Sequence, residues 1–193
     1  MGLPLRRADS RSGSAGMIFT PLRISGAFLI ELERLSDERG FFARTFCERE
    51  FAAHGLCTRW PQTSVSFNAK NRTLRGMHYQ IAPHEEVKLV RCTRGAVFDV
   101  IIDLRPESPT WKQWCGVELS AENHQAIYIP TGCAHGFLTL ADETELFYQI
   151  DTEYHAQSAR GVRFDDAAFS IEWPHSPLIV AQKDRDYPDY VSI

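Results

Sequence analysis

Short apolar runs separated by turn residues recur along most of this chain, and their length and alternation predict β-strands. Thr93, Arg94 and Gly95 separate two of these runs in a pattern that is typical of a tight hairpin. Many short strands at this spacing indicate a β-sandwich or a jelly roll. The predicted strands cover residues 27–35, 64–67, 87–92, 96–104, 117–119, 126–130, 136–140 and 145–150.

Two segments depart from the strand pattern. Residues 48–54 predict one short helix, and Gly55 stands where a left-handed residue commonly ends a helix. The segment after Asp165 has no strong period and is rich in Pro, Asp and aromatic residues. We therefore expect an all-β domain with few helices and an irregular C-terminal cover.

The first sixteen residues, 1–16, are rich in Arg, Ser and Gly and carry no apolar period. They lack the apolar segment of about 7–15 residues that a signal peptide requires. We expect a disordered tail here, or an extension upstream of a start at Met17. Residues 17–193 are then long enough for one domain with a substantial core.

Composition narrows the choice of partners and compartment. The net charge of −4 implies no basic face, which argues against nucleic acid as a partner. No apolar run approaches the roughly 18 residues that a membrane span needs, so no membrane partner is expected. The five cysteines form no C-x-x-C pair, which argues against a disulfide framework or a zinc knuckle and indicates reduced thiols in the cytoplasm.

Two histidines, each beside a glycine in a strand-like run, are the first candidates for chemistry. If His78 and His135 face the interior of a barrel, one use is metal binding, since the run around His135 matches the later motif of metal-dependent cupins. Gln80 stands where the earlier motif has its second histidine. Even with Glu85 or Glu86 added, the donor set is poor for a transition metal. Two hydrogen-bonded core histidines without a ligand are another interpretation.

The other use of such an interior is acid–base chemistry. Lys88 lies ten residues after His78 on a strand expected to pair with or follow it. Tyr148 and Tyr154 lie on or just past a later strand, and Asp184 lies near the C-terminus. A histidine base, an orienting carboxylate, a cation and a phenol are the groups needed to abstract a proton next to a carbonyl.

A series of motifs spans the chain from about Phe19 to Asp184. They are 37–42, 74–80, 88–91, 99–105, 108–110, 119–123, 129–137, 171–174 and 183–184. In content and order they resemble the dTDP-4-dehydrorhamnose 3,5-epimerase family. The resemblance implies a double-stranded β-helix, the cupin-like jelly roll, that forms a homodimer. It also implies inversion of C3, C5 or both in a nucleotide-linked 4-keto-6-deoxyhexose, as in dTDP-rhamnose biosynthesis.

The resemblance also implies roles for four residues. His78 matches the general base, and Asp184 matches the carboxylate that orients it and stabilises the imidazolium. Lys88 would face the C4 oxygen, where negative charge develops in the enolate. Tyr148 matches the proton donor on the opposite face of the sugar ring. Base on one face and acid on the other are the minimum needed to invert a stereocentre.

The resemblance implies a nucleotide-sugar partner and neither metal nor cofactor, because the C4 ketone of the substrate is itself the electron sink. Tyr154 matches an aromatic residue that packs near the nucleotide base. The positions matching residues that contact the nucleotide, its phosphates or the sugar are Arg39, Phe42, Gln62, Arg75, His135 and Lys183.

Three departures from the family pattern fall at expected ligand contacts. Arg44 stands in place of an acidic residue, Ser64 in place of an asparagine and Ala159 in place of a glutamate. They predict an altered preference for nucleotide or sugar but leave the four acid–base residues intact. Two hypotheses remain, an epimerase and a non-catalytic or metal-binding cupin module. The intact set of base and acid favours the epimerase.

Overall fold

The computed structural model describes residues 16–191, so the expected disordered tail lies, apart from Gly16, outside the described residues. The helices are α1 (Glu48–Ala53) and α2 (Gln182–Arg185). The strands are β1 (Met17–Pro21), β2 (Phe28–Leu32), β3 (Leu35–Asp37), β4 (Gly40–Phe42), β5 (Gln62–Asn68), β6 (Thr73–Gln80), β7 (Lys88–Arg94), β8 (Ala96–Asp103), β9 (Trp114–Ser120), β10 (Ala126–Ile129), β11 (Cys133–Thr139), β12 (Thr144–Ile150), β13 (Ala159–Gly161) and β14 (Ile179–Val180).

Two β-sheets face each other across the interior. The first has the strand order β1-β2-β10-β7-β12-β5, and the second has the order β13-β6-β11-β8-β9. In these two sheets neighbouring strands are antiparallel, and β14 adds to β6 in parallel. Strands β3 and β4 form a separate two-stranded sheet. The prediction of an all-β jelly roll with few short helices is confirmed.

The predicted hairpin at Gly95 is wrong. Strand β7 pairs with β10 and β12 in the first sheet, whereas β8 pairs with β11 and β9 in the second. Gly95 has a φ of 72° and lies so close to Thr144 that a side chain would overlap it. The glycine therefore turns the chain from one sheet to the other. A local turn signal is the same for both paths, because it carries no information on which strands pair.

Alternation along the strands separates inward from outward side chains. On β7, Val90 and Cys92 belong to the core between the sheets, whereas Leu89 packs on the outer face of the first sheet. Burial of an aliphatic side chain of this size contributes about 1.5–3 kcal/mol relative to exposure. The other buried members of the core between the sheets are Ile24, Ala27, Val97, Ile101, Leu119, Ile127, Ile129, Cys133, Phe137 and Leu146.

Helix α1 covers part of the outer face of the first sheet, as the sequence predicts for residues 48–54. Its Phe51 is fully buried in a cluster that includes Leu89 of β7 and Tyr128 of β10. Gly55 follows the helix with a φ of 69°, in the left-handed conformation. No helix in the described range is long and apolar enough to cross a membrane.

The segment after Asp165 covers the outer face of the second sheet. Phe169, Trp173 and Tyr190 pack there in a cluster with residues of β6, β8 and β11. This confirms the expected cover, but the segment also contains β14 and α2, which the sequence does not predict. Helix α2 matters for the site because it holds Asp184, which is almost fully buried, against β6.

Candidate active site

A cavity of about 610 Å³ lies between the two sheets, within the size range of small-molecule sites. Strands β5, β7 and β12 contribute side chains from the first sheet, and β6 and β11 contribute them from the second. The C-terminal segment closes one side through β14 and α2. The predicted site residues that line the cavity are Ser64, Arg75, His78, Lys88, His135, Tyr148, Tyr154, Lys183 and Asp184.

His78 and Asp184 form a hydrogen-bonded pair. The Nε2 atom of His78 is 2.7 Å from Oδ1 of Asp184, and the backbone N–H of Gly76 donates to Oδ2 at 3.3 Å. Burial alone would raise the pKa of Asp184, but the hydrogen bonds from His78 and Gly76 and the nearby charge of Lys183 hold it below its usual value. Asp184 is therefore ionised and fixes the imidazole, so that Nδ1 is the nitrogen that can meet a substrate.

Glycines explain how two histidine strands come so close together. Gly76 of β6 has a φ of 140°, and a side chain there would overlap the backbone of Gly136 on β11. A side chain on Gly136 would in turn overlap Met77 and the carbonyl of Arg75. Gly76, two residues before His78, and Gly136, next to His135, are therefore both required by this backbone contact, which the sequence does not reveal.

His135 is held by a carboxylate of its own. It lies opposite His78 in the β6–β11 register, and its Nε2 is 2.9 Å from Oδ2 of Asp99 on β8. Both partners of this second pair are buried. The sequence analysis missed Asp99 as a partner. The available signal is an acidic residue inside the apolar run of β8, which needs a buried partner to be tolerated.

Lys88 projects into the cavity from the sheet opposite His78. The expectation that its strand pairs with or follows that of His78 is correct only for chain order, because β6 and β7 belong to different sheets. Its Nζ donates to the backbone carbonyl of His78 at 3.4 Å and forms an ion pair with Glu86 at 2.8 Å. Glu86 also lines the cavity, although the sequence suggested it only as a metal ligand.

Tyr148 faces the cavity from β12. Its ring meets His135 edge-on at a centroid distance of 6.0 Å. Burial and the charge of Asp99 raise the pKa of the phenol, so it remains protonated at neutral pH. His78 and Tyr148, the expected base and acid, thus belong to opposite sheets that enclose one cavity.

Some of the predicted ligand contacts lie at the cavity or support a residue that does. Arg75 is held by Asn68, whose Oδ1 accepts from its Nε at 2.7 Å. Gln62 is not among the lining residues, but its Oε1 accepts the backbone N–H of Tyr154 at 3.1 Å and so supports the position of that lining residue. Two of the three departures from the family pattern, Ser64 and Ala159, also line the cavity.

Three other predicted ligand contacts do not line the cavity of their own chain. Arg39 pairs with Asp37 within the β3–β4 sheet. Phe42 is 68% exposed. Arg44 forms an ion pair of 3.0 Å with Glu50 of α1.

Tyr187 is a cavity residue that the sequence analysis missed. Its ring is 6.3 Å from that of His78 and fills the space where a side chain on Gly161 would be. Residues 186–189 contain two aspartates and a proline, so their composition predicts a solvated turn and gives no sign that Tyr187 lines a cavity. Within residues 16–191, no three His, Cys, Asp or Glu side chains are grouped as metal ligands.

Comparison with known proteins identifies the family. Residues 21–191 match the family model described as dTDP-4-dehydrorhamnose 3,5-epimerase. The enzyme of that name from Escherichia coli K12 is 42% identical over 164 residues, which cover 84% of this chain and 88% of the relative. A dTDP-4-dehydrorhamnose 3-epimerase from Streptomyces niveus is 35% identical over 171 residues, with 88% and 82% covered.

A solved structure agrees with these matches. The dTDP-4-dehydrorhamnose 3,5-epimerase of Bacillus anthracis, crystallised with TDP and pyrophosphate, superposes with a TM-score of 0.87 at 38% identity. The match covers 91% of this chain and all of that structure's chain. The chain therefore belongs to the dTDP-4-dehydrorhamnose 3,5-epimerase family and is an isomerase.

Proposed function

We propose that this protein inverts C3, C5 or both in a dTDP-linked 4-keto-6-deoxyhexose, as a step of dTDP-rhamnose or related deoxysugar biosynthesis. The observation that carries the proposal is the placement of His78 and Tyr148 on opposite sheets of one cavity, with Lys88 also facing it. This is the arrangement that inversion next to a ketone requires, because the proton must leave one face of the ring and return to the other.

The first step is proton abstraction. A C–H bond next to the C4 ketone is acidic, and Nδ1 of His78 takes the proton while the bonding electrons form the enolate. Asp184 stabilises the resulting imidazolium through its 2.7 Å hydrogen bond. The C4 oxygen gains negative charge, and the Lys88 ammonium donates a hydrogen bond to it.

The second step is protonation of the enolate from the other face. Tyr148 donates its phenolic proton to the carbon, the C4 ketone re-forms, and the stereocentre is inverted. The phenolate regains a proton from solvent, and His78 releases the one it took. A protonated phenol is ready for this role because burial raises its pKa.

The cations and the exposed aromatic residue of the cavity fit a nucleotide diphosphate. Arg75 and Lys183 line the cavity and supply positive charge for the phosphates. Tyr154 is largely exposed at the same cavity and offers a surface on which a base can stack. His135, held by Asp99, forms the wall beside the sugar.

We further propose a homodimer in which Arg39 and Phe42 of one subunit complete the cavity of the other. The support is that the hairpin β3–β4 carries exposed apolar side chains, with Phe42 the most exposed of them, yet does not reach the cavity of its own chain. Val65 and Phe67 are also exposed on the edge strand β5, and Val65 lines the cavity, so the apolar surface reaches the site. Exposed apolar surface of this kind is typical of an interface.

Mixing two inactive variants tests this arrangement. In a mixed dimer of Arg39→Ala and His78→Ala, one cavity would combine an intact His78 with an intact Arg39 from the other subunit. Regained activity on mixing supports the exchange of hairpins. A mixed dimer that stays inactive shows that each hairpin serves its own chain.

We also propose a cytoplasmic location. Cys47, Cys57, Cys92, Cys115 and Cys133 are all free thiols, which is consistent with a reducing compartment. A nucleotide-sugar substrate is consistent with the same compartment.

Deuterium incorporation in heavy water tests the proposed function. The protein is incubated with dTDP-4-keto-6-deoxyglucose, and NMR follows deuterium at C3 and C5. Exchange at both carbons identifies a double epimerase, and exchange at C3 alone identifies a 3-epimerase, the activity in the name of the Streptomyces niveus relative. Folded protein that exchanges neither position, or that purifies with stoichiometric metal, would favour the alternative of a non-catalytic or metal-binding cupin.

A further inference from the structure

Glu86 is a cavity carboxylate that the proposed steps do not use. It lies in the connection between β6 and β7, and its Oε1 is 2.8 Å from Nζ of Lys88. The two side chains are only 12% and 9% exposed. A pair so well shielded from water exchanges partners far less readily than a surface ion pair.

Gln80 fixes the carboxylate of Glu86 from the other side. Its Nε2 donates to Oε2 of Glu86 at 3.2 Å and also lies within hydrogen-bond distance of the carbonyls of His84 and Glu153. Its Oε1 accepts the backbone N–H of His155 at 2.7 Å. Because these contacts specify which end of the amide is which, Gln80 presents an N–H and not an oxygen to Glu86.

The remaining contacts of Lys88 define its direction. An ammonium group has three N–H donors, and here Glu86 and the carbonyl of His78 are acceptors for two of them. The third is left for an acceptor in the cavity. Building on the proposed function, we propose that Glu86 is a positioning residue that aims Lys88 at the C4 oxygen of the substrate.

The field of the Glu86 carboxylate does not itself favour the enolate. A carboxylate 2.8 Å from the ammonium opposes the positive field that stabilises an enolate. The benefit that we infer is therefore the direction and reach of the hydrogen bond that Glu86 accepts. Aiming of this kind acts where charge develops, so it affects kcat more than KM.

Two substitutions separate reach from charge. Glu86→Asp keeps the charge but shortens the side chain by one methylene, so the carboxylate withdraws from Lys88. Glu86→Gln removes the charge and keeps an oxygen acceptor for Lys88, while its new N–H faces Nε2 of Gln80 and gives up that hydrogen bond. The matched control is Glu85→Asp, because Glu85 is the exposed neighbour and does not line the cavity.

We expect Glu86→Asp to lower kcat for deuterium exchange by roughly 10- to 100-fold, as a misplacement of about 1 Å does, with KM changed less than threefold. Glu86→Gln should retain at least about ten times the kcat of Glu86→Asp. Glu85→Asp should match the wild type. Circular dichroism establishes that all four proteins are folded.

Three outcomes would overturn the inference. One is a wild-type kcat in Glu86→Asp, and another is a Glu86→Gln variant that loses as much as Glu86→Asp or more, which would make charge the relevant property. The third is a change confined to KM. If the wild type itself exchanges no deuterium, the proposed function has failed and not this inference alone.

Discussion

His78 and His135 lie directly opposite each other on β6 and β11, and each ring uses Nε2 to bind a buried carboxylate. They differ in access, because the side chain of His78 is 35% exposed and that of His135 is 5% exposed. The same pairing of imidazole and carboxylate therefore stands in two environments. The ring of His78 is open to a ligand in the cavity, whereas the ring of His135 is almost fully enclosed.

Replacing the proposed base should abolish most of the activity. We expect His78→Asn to lower the rate of deuterium incorporation by roughly 10²–10⁴-fold, the usual cost of losing a general base. Folding should be little affected, since the ring is partly exposed. His54→Asn is the control, because His54 is exposed just after α1 and does not line the cavity, and it should exchange normally. Near-normal exchange in His78→Asn would remove His78 from the mechanism.

Replacing the proposed acid should separate proton loss from inversion. Tyr148→Phe keeps the ring that packs beside His135 but removes the phenol, so abstraction by His78 continues while protonation from the opposite face does not. We expect epimer formation to fall more than loss of substrate hydrogen to solvent, with both followed by NMR in one reaction. Equal losses in the two rates would point to Tyr154 as the donor instead.

Asp103 should stabilise the fold in a pH-dependent way. Burial opposes its ionisation, but hydrogen bonds from Arg105, Ser108 and Thr110 prevail and lower its pKa from 3.8 to about 2. Because the pKa is lower in the folded state, ionised Asp103 stabilises the fold at every pH above the unfolded-state pKa of 3.8. This stabilisation is lost as the pH falls from about 4 towards 2. The contribution at neutral pH is about 2 kcal/mol.

Asp103→Asn should therefore lower the free energy of unfolding at pH 7 by about 2 kcal/mol, as measured by denaturant titration. The difference between this variant and the wild type should shrink near pH 2. Asp165→Asn is the control, because its ion pair with Arg163 is exposed and contributes less than about 1 kcal/mol. A difference between Asp103→Asn and wild type that does not change with pH would contradict the account.

Replacing Gly161 should destabilise the fold because of its contact with Tyr187. A methyl group at Gly161 would overlap the Tyr187 ring, so Gly161→Ala should cost about 1–3 kcal/mol of stability, the usual range for overpacking. It should also displace the segment that carries Asp184 and lower activity.

Combining Gly161→Ala with Tyr187→Ala checks this explanation. The double variant should be about as stable as Tyr187→Ala alone, because the overlap no longer exists. Stability losses that simply add would show that Gly161 is required for a reason other than Tyr187.

The sequence predicts individual strands far better than their partners. Alternating runs locate β5, β7 and β12 because side-chain alternation is a local property. The turn at Gly95 misleads because its residues suit both a hairpin and a crossover, and only the packing of Thr144 against the glycine distinguishes them.

In the site, too, the sequence predicts individual residues better than their partners. Motifs locate His78, Lys88, Tyr148 and Asp184, and the structure brings all four to one cavity. Asp99 and other supporting contacts depend on pairing between distant strands, which no local pattern encodes. Arg39 and Phe42 do not line the cavity of their own chain, so their predicted contact with the ligand stays a prediction that depends on the proposed dimer.

The contact between Gly76 and Gly136 has a consequence for how this site can change over generations. Because backbone meets backbone there, no side chain can be added at Gly76 or Gly136 to reshape the wall that holds His78. New substrate preferences must therefore arise elsewhere, at positions such as Ser64 on the facing sheet or Ala159 beside the cavity. Backbone packing thus fixes the position of His78, whereas the side chains at positions 64 and 159 are not under that constraint.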